Sequence, residues 1–206
     1  MRLGLGNTLA ITNKVGDNPY VPPAYATGLV AKFFTGSFRA TIPSGNITGY
    51  PLPLSATSDS TIIDGGSGRH VRQNIEYTTL GDSYGFIAIG YFTPPTSGDY
   101  YFRTNSDDSS GVWVGNLALE GQTRNASNAT VNNGLGGIGQ GATEATSAAV
   151  PLTTGTQYPI RIVHEEGAGE DNLTFKWSSD NGSNYSTNLS QYFSHAVVNG
   201  TPTGTF

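Results

Sequence analysis

The stretch NLTFKWS, Asn172 to Ser178, alternates polar and apolar side chains over its whole length. Leu173, Phe175 and Trp177 fall on one face, and the residues between them are polar. Successive side chains of a strand point to opposite faces, so this period of two predicts a half-buried antiparallel strand with one face on a core.

Similar short apolar or alternating stretches recur between turn signals along the chain. They predict eight strands, at residues 29–35, 72–79, 84–93, 98–104, 111–119, 158–164, 172–178 and 191–198. Many short strands separated by turns are typical of a sandwich. We therefore predict an all-β chain that folds as an antiparallel, jelly-roll-like β-sandwich, with Phe102, Ile162, Phe175 and Trp177 in its core.

Two segments do not follow this pattern. Residues 1–27 contain clustered prolines and no sustained periodicity, which predicts an extended N-terminal arm that packs on another chain, ahead of a sandwich domain at residues 28–206. A terminus without fixed structure is the alternative for this arm. Residues 125–151 are rich in Gly, Asn and then Ala, and we predict a long surface loop there with one helical turn near Glu144.

The composition excludes several classes of protein. The 206 residues suffice for one core, and only 12% of them are charged. A net charge of −5 with three lysines offers no basic patch for nucleic acid. The chain has no Cys, no apolar run long enough to span a bilayer, and no continuous apolar stretch at its start that would predict a signal peptide.

Nucleophilic catalysis finds little support. There is no Cys and no Gly-X-Ser-X-Gly motif, and no recognisable motif surrounds the three histidines. His164 continues a strand pattern, which indicates a structural residue. We predict a protein that is not an enzyme.

Acidic residues form two groups in a chain that otherwise avoids charge. Asp107 and Asp108 lie in FRTNSDDSSGVWVG, and a second group lies in HEEGAGED, residues 164–171. Each group follows a predicted strand, so both can lie at one end of a sandwich. Clusters of oxygen ligands suit a hard cation such as Ca²⁺. Two solvated acidic turns are the alternative.

The run GYFTPPTSGDYYFRTNSDDSSGVWVGNLAL, with GLVAKFFTGSF before it and YPIRIVHEEGAGEDNLTFKWSS after it, resembles a known family. It is similar to the protective-antigen-type domain, the β-sandwich shared by the anthrax toxin component, the flocculin and GLEYA adhesins of yeasts, and many bacterial sugar-processing proteins. The resemblance covers about residues 28–195.

The resemblance implies a Ca²⁺ site that binds vicinal hydroxyls of a sugar. Its adjacent aspartates, joined by a cis peptide in the lectin members, would be Asp107 and Asp108. A further ligand falls on Glu166, with the carbonyls of Ala168 and Glu170. Here Glu replaces the Asn of the adhesins, and the loop lacks their aromatic residue.

Three neighbouring carboxylates would need a positive partner, because unit charges 4 Å apart repel by about 4 kcal/mol at an effective dielectric of 20. Ca²⁺ is the partner that we predict. We also predict that Asn181, Asn184 and Tyr185 contact the sugar together with the two aspartates, and that the sugar belongs to a host-surface glycan.

The yeast adhesins are secreted and contain cysteines, whereas this sequence contains no Cys and its opening residues do not predict a signal peptide. Its opening MRLGLGNTLA and the progression from SDDSSGVWVG to NASNATVNNGLGG resemble structural proteins of tailed phages, particularly those of cyanobacteria. This resemblance implies a homo-oligomeric protein on the virion surface, attached to other virion proteins by its arm. The alternatives are a decoration, cement or fibre protein without a ligand, and a carbohydrate-binding module of a larger hydrolase.

Overall fold

In the computed structural model, the chain is described at residues 24–35, 46–48, 71–72, 75–78, 82–137, 139–198 and 201–203. Strands dominate these residues, and the one helix among them is a 3-10 turn at Asn116–Ala118. In the described part of the chain, no helix has the length and apolar character needed to cross a membrane.

The strands are numbered in chain order. Their bounds are β1 Ala24–Thr27, β2 Leu29–Thr35, β3 Asn46–Thr48, β4 Val71–Arg72, β5 Glu76–Thr78, β6 Tyr84–Phe92, β7 Gly98–Asp107, β8 Ser109–Val114, β9 Thr123–Asn125, β10 Val131–Asn133, β11 Thr143–Thr146, β12 Val150–Leu152, β13 Tyr158–Glu166, β14 Asn172–Ser178, β15 Phe193–Val198 and β16 Thr201–Thr203.

Two main sheets pack face to face. The larger has the order β1-β15-β6-β13-β8-β10, with β2 also paired to β6, β4 to β2, and β16 to β15. The smaller has the order β11-β7-β14-β5, with β12 also paired to β7, and β3 and β9 form a separate pair. Every pairing among the described strands is antiparallel, as the sequence predicted.

The core lies between the two sheets and is rich in aromatic rings. All four predicted core residues are buried: Phe102, Ile162 and Phe175 are fully enclosed, and Trp177 is 6% exposed. Phe92 of β6 contacts aromatic rings from both sheets, with its centroid 5.6 Å from that of Phe102 and 4.8 Å from that of Phe193. Edge-to-face and tilted contacts of this kind add to the free energy gained by burying apolar area.

The larger sheet is buried on its other face as well. Ile87 and Ile89 alternate along β6 with residues of the main core, and they pack with Trp113 and Val163 in a second apolar cluster. Leu135, from the segment after β10, packs against this cluster. Consequently β6 shows a continuous apolar run, where a strand with one solvated face would alternate.

Parts of the two segments that departed from the strand pattern belong to the sheets. Ala24–Thr27, the end of the predicted arm, pairs with β15 of the same chain, whereas the arm's residues 1–23 lie outside the described residues. The helical turn predicted near Glu144 is wrong, because Thr143–Thr146 forms β11 on the edge of β7. The predicted loop at 125–151 also contains β10 and the start of β12.

Candidate functional site

The inward-facing side chains become more polar towards one end of the sandwich. Along β7, Phe102 is followed on the same face by Thr104 and Ser106. Along β13, Ile162 is followed in the same way by His164 and Glu166. All of these side chains are fully buried, so this end of the sandwich encloses polar groups where the middle encloses apolar ones.

Asp107 and Asp108 lie at the turn between β7 and β8, at this polar end. A cis peptide bond joins them, in agreement with what the family resemblance implied. Asp108 is 2% exposed, whereas Asp107 is half-buried. The Asp108 amide donates a hydrogen bond to Oε2 of Glu166 over 3.1 Å, so the structure brings together the two acidic groups that lie far apart in the sequence.

The loop after β13 is tied to the same turn. The amide of Gly167 donates to Asp108 Oδ2 over 2.9 Å, and its carbonyl accepts hydrogen bonds from the amide and hydroxyl of Ser83. Ala168 and Glu170, whose carbonyls were predicted as ligands, lie in the exposed part of this loop.

His164 supports the aspartate turn from inside the sandwich. Its Nε2 lies 3.0 Å from the carbonyl oxygen of Asp107. A carbonyl only accepts, so Nε2 carries the proton in this contact. Burial lowers the pKa of His164 to about 4, so the ring is neutral at neutral pH. The structural role predicted for His164 is confirmed.

Burial and neighbouring negative charges raise the pKa of two carboxyl groups at this end, those of Glu166 and Asp107. Burial raises the pKa of Glu166 to about 7, and the charges of Asp108, Asp171 and Asp107 act in the same direction. The pKa of Asp107 is also raised, first by burial and then by the charges of Asp108 and Glu170, although a hydrogen bond from the Ala142 backbone opposes this. This end of the sandwich is therefore a place where a cation would be stabilised.

Glu166 provides a second reason to expect a cation. Its side chain is 0% exposed, and its Oε1 has no hydrogen-bond partner among the described residues. A buried carboxylate oxygen without a partner carries a large desolvation cost. The oxygen-only donor set fits Ca²⁺. Within the described ranges, however, no three His, Asp or Glu side chains converge to form a metal site by themselves, so backbone or water oxygens would have to contribute.

Asn181, Asn184 and Tyr185 do not join this site, in contrast to the prediction. Asn181 accepts a hydrogen bond from the Tyr101 hydroxyl, and the ring of Tyr185 lies under the guanidinium of Arg103. β14 runs antiparallel to β7, so the loop that follows β14 emerges at the opposite end of the smaller sheet. Tyr101 and Asp107 are six positions apart on β7, which corresponds to about 20 Å of extended strand.

Sequence reasoning also missed residues that contact the aspartates. The amides of Gly139 and Gln140 both donate to Asp108 Oδ1, over 2.5 and 2.9 Å. Asp171, which belongs to the second acidic group identified in the sequence, is 2% exposed and accepts a hydrogen bond from the Tyr84 hydroxyl over 2.7 Å. Backbone donors in a glycine-rich loop have no side-chain signature, so nothing in the sequence marks them.

Comparisons with known proteins agree with this fold. Residues 84–179 match the family model of the GLEYA domain. This range contains the aspartate turn, Glu166 and the strands β6 to β14 that carry them, and it makes up slightly less than half of the chain. No curated protein matches the sequence.

Several solved structures share the sandwich. The PA14 domain of the antifreeze protein MpAFP is 16% identical with a TM-score of 0.55, over 85% of this chain and 94% of that one. The PA14 sugar-binding domain from an RTX adhesin is 20% identical with a TM-score of 0.52, over 82% and 99%. The epithelial adhesin 6 A domain from Candida glabrata, in complex with Galβ1-3GlcNAc, is 17% identical with a TM-score of 0.51, over 86% and 89%. The chain thus shares the β-sandwich fold of these PA14 and adhesin domains.

Proposed function

We propose that this chain is a Ca²⁺-dependent carbohydrate-binding domain whose site is the aspartate turn. The observation that carries the proposal is the contact between Asp108 of the aspartate turn and the buried Glu166, whose Oε1 lacks a hydrogen-bond partner among the described residues. The GLEYA match over this region, the sugar-binding role of the RTX adhesin domain and the glycan complex of the epithelial adhesin 6 A domain support the same role. The role is binding rather than catalysis.

The protein residues that would hold the ion are the side chains of Asp107, Asp108 and Glu166, which would have to move closer together around it, with the carbonyls of Ala168 and Glu170. When bound, Ca²⁺ would supply an electrophilic centre for two adjacent sugar hydroxyls. The chain's own residues hold these ligand groups in position. His164 holds the carbonyl of Asp107, and the Gly167 amide holds the carboxylate of Asp108.

A glycan array tests the proposal directly. The wild-type chain is applied in Ca²⁺ and again with EDTA, beside the double variant Asp107→Asn, Asp108→Asn. We expect binding that disappears in EDTA and in the double variant. Asp99→Asn is the matched control, because Asp99 is an exposed aspartate on the same strand β7. An array that gives no signal in Ca²⁺, or the same signal with EDTA, would contradict the proposal.

We further propose that the domain is displayed on a virion and that the residues preceding β1 attach it to other virion proteins. The resemblance of the sequence to phage structural proteins supports this setting. A map of the intact particle with the sandwich outside and the N-terminal residues against another subunit is the expected result. Normal incorporation into particles of a chain that lacks residues 1–23 would contradict the role of the arm.

A further inference from the structure

Four hydrogen bonds from two residues, Gly139 and Gln140, hold the loop that follows β10: three end on Asp108 of the aspartate turn and one ends on Asn133 of β10. Two come from the backbone amides of Gly139 and Gln140 and end on Asp108 Oδ1. The other two come from the Gln140 side chain, whose Nε2 donates to the carbonyl of Asp108 over 2.9 Å and to that of Asn133 over 3.2 Å. The side chain of Gln140 therefore bridges a strand of the larger sheet and the aspartate turn.

Asn133, whose carbonyl accepts one of the Gln140 hydrogen bonds, is itself held in place by further contacts. It lies on β10, is 5% exposed, and donates from Nδ2 to the hydroxyl of Ser106 over 3.0 Å and to the carbonyl of Thr143 over 2.9 Å. Ser106 directly precedes Asp107 in β7. Gln140 thus completes a closed set of contacts that begins at Ser106 and returns to Asp108.

The space that Gln140 occupies exists because residue 134 is a glycine. A Cβ at Gly134 would lie 2.1 Å from Oε1 of Gln140 and 2.5 Å from its Nε2. Gly134 also has a φ of +70°, in the region that favours glycine. Any side chain at position 134 would displace Gln140 from the aspartate turn.

The other end of the loop is anchored in the second apolar cluster. Leu135 packs against that cluster, and its Cδ1 lies 2.5 Å from where a Cβ of Gly111 would be. Gly111 belongs to β8, three residues after Asp108. The loop is consequently held at Leu135 by packing and at Gln140 by hydrogen bonds.

We propose that Gln140 is a positioning residue that holds the main chain and carboxylate of Asp108 in the orientation that binds Ca²⁺. This inference rests on the proposed Ca²⁺ site. Negatively charged ligands that repel each other must be held in place before the ion arrives, and hydrogen bonds to a ligand group do this. Partners of this kind typically contribute about 10- to 100-fold to metal affinity.

The test measures Ca²⁺ affinity by titration calorimetry on the full chain after EDTA treatment. Gln140→Met keeps the length of the side chain over Gly134 but removes its donors. Gly134→Ala disturbs the same contact from the other side by displacing Gln140. Gln157→Met is the matched control, because Gln157 is exposed and its Nε2 makes only a 3.4 Å contact with Ser194 among the described residues. Melting temperatures in EDTA and in Ca²⁺ accompany each titration.

We expect Gln140→Met and Gly134→Ala to weaken Ca²⁺ binding by about 10-fold or more, with Gln157→Met unchanged. The gap between the melting temperatures in Ca²⁺ and in EDTA should narrow in both variants. A purely structural role would lower both melting temperatures equally and leave the affinity as it is.

The outcomes separate this inference from the proposed function. If the wild type binds Ca²⁺ and Gln140→Met binds it equally well, the positioning role is overturned and the site stands. If the wild type binds no Ca²⁺, the proposed Ca²⁺ dependence fails and the inference fails with it. If neither variant folds, the loop serves the fold and the positioning role is overturned.

Discussion

Glu166 is the residue whose chemistry the structure changes most clearly. Its pKa rises from 4.5 to about 7 in the folded protein, chiefly through burial. Below pH 4.5 both the folded and the unfolded state hold the proton. Between pH 4.5 and 7 only the folded state keeps it, so the free energy of unfolding contributed by Glu166 falls as the pH rises. Above pH 7 Glu166 is ionised in both states, and the loss of stability that it causes is complete.

We therefore predict that Glu166→Gln stabilises the protein in EDTA at pH 8, by about 1 to 3 kcal/mol, and has little effect at pH 4.5. Gln is similar in shape and neutral, so it removes the charge at high pH and resembles the protonated acid at low pH. Urea unfolding at the two pH values measures the difference.

His164 has the opposite pH dependence, because its pKa falls from 6.5 to about 4 and its contribution to stability rises with pH between those values. Comparing variant with wild type at each pH cancels this contribution. Glu120→Gln, at an exposed position, is the control and should change nothing. An equal increase in the free energy of unfolding of Glu166→Gln at pH 4.5 and at pH 8 would contradict the electrostatic explanation.

At the scale of residues, the sequence predicted the acidic part of the site better than its supports. Asp107, Asp108 and Glu166 could be placed together because each follows a strand and a known family shares the pattern. Gln140 could not, because its contacts depend on the path of a glycine-rich loop that has no periodicity. Tyr185 was misplaced, because the direction of β14 relative to the site is a property of the sheet.

Strand β1 shows how an edge element belongs to the sandwich without a buried face. All four of its residues are exposed, yet each pairs with a residue of β15. Tyr25 lies edge-to-face on Tyr91 of β6, with 5.4 Å between the ring centroids. The pairing and this contact, rather than burial, hold β1 in place.

We predict that a chain beginning at residue 28 unfolds at a lower temperature than one beginning at residue 24. Loss of the Tyr25–Tyr91 contact and of the pairing with β15 should cost about 1 to 3 kcal/mol. Scanning calorimetry of the two chains measures this. Tyr25→Ala in the longer chain isolates the part due to the ring. Equal melting temperatures would show that β1 contributes nothing to the stability of the sandwich.

Strands were predicted well where polar and apolar residues alternate within the segment itself. They were predicted poorly where the strand depends on pairing with a distant part of the chain. NLTFKWS encodes its own burial pattern, so β14 was found with correct bounds. The segment TEAT of β11 has no such pattern and three of its four residues are exposed. It forms a strand because it pairs with the edge of β7, whose residues lie about 40 positions earlier in the chain.

Across the whole molecule, negative charge is concentrated at one end of the sandwich. The sequence has 15 acidic residues, and five of them lie at or beside the aspartate turn: Asp107, Asp108, Glu166, Glu170 and Asp171. One divalent cation offsets two of five full charges, which leaves three. With a net charge of −5 for the chain, the field at this end would disfavour anionic ligands even with the ion bound.

We predict that the domain prefers neutral glycans over the same glycans carrying a terminal sialic acid. Three uncompensated charges about 8 Å from a sugar carboxylate would repel it by about 1.5 kcal/mol in water, or roughly tenfold in affinity. The measurement compares the neutral glycan that the array selects with its sialylated form at 0.1 M and at 1 M salt. The difference should narrow at high salt, where the screening length falls from about 10 Å to about 3 Å. Equal affinities at 0.1 M salt, or a difference that salt leaves unchanged, would show that contacts rather than charge select the sugar.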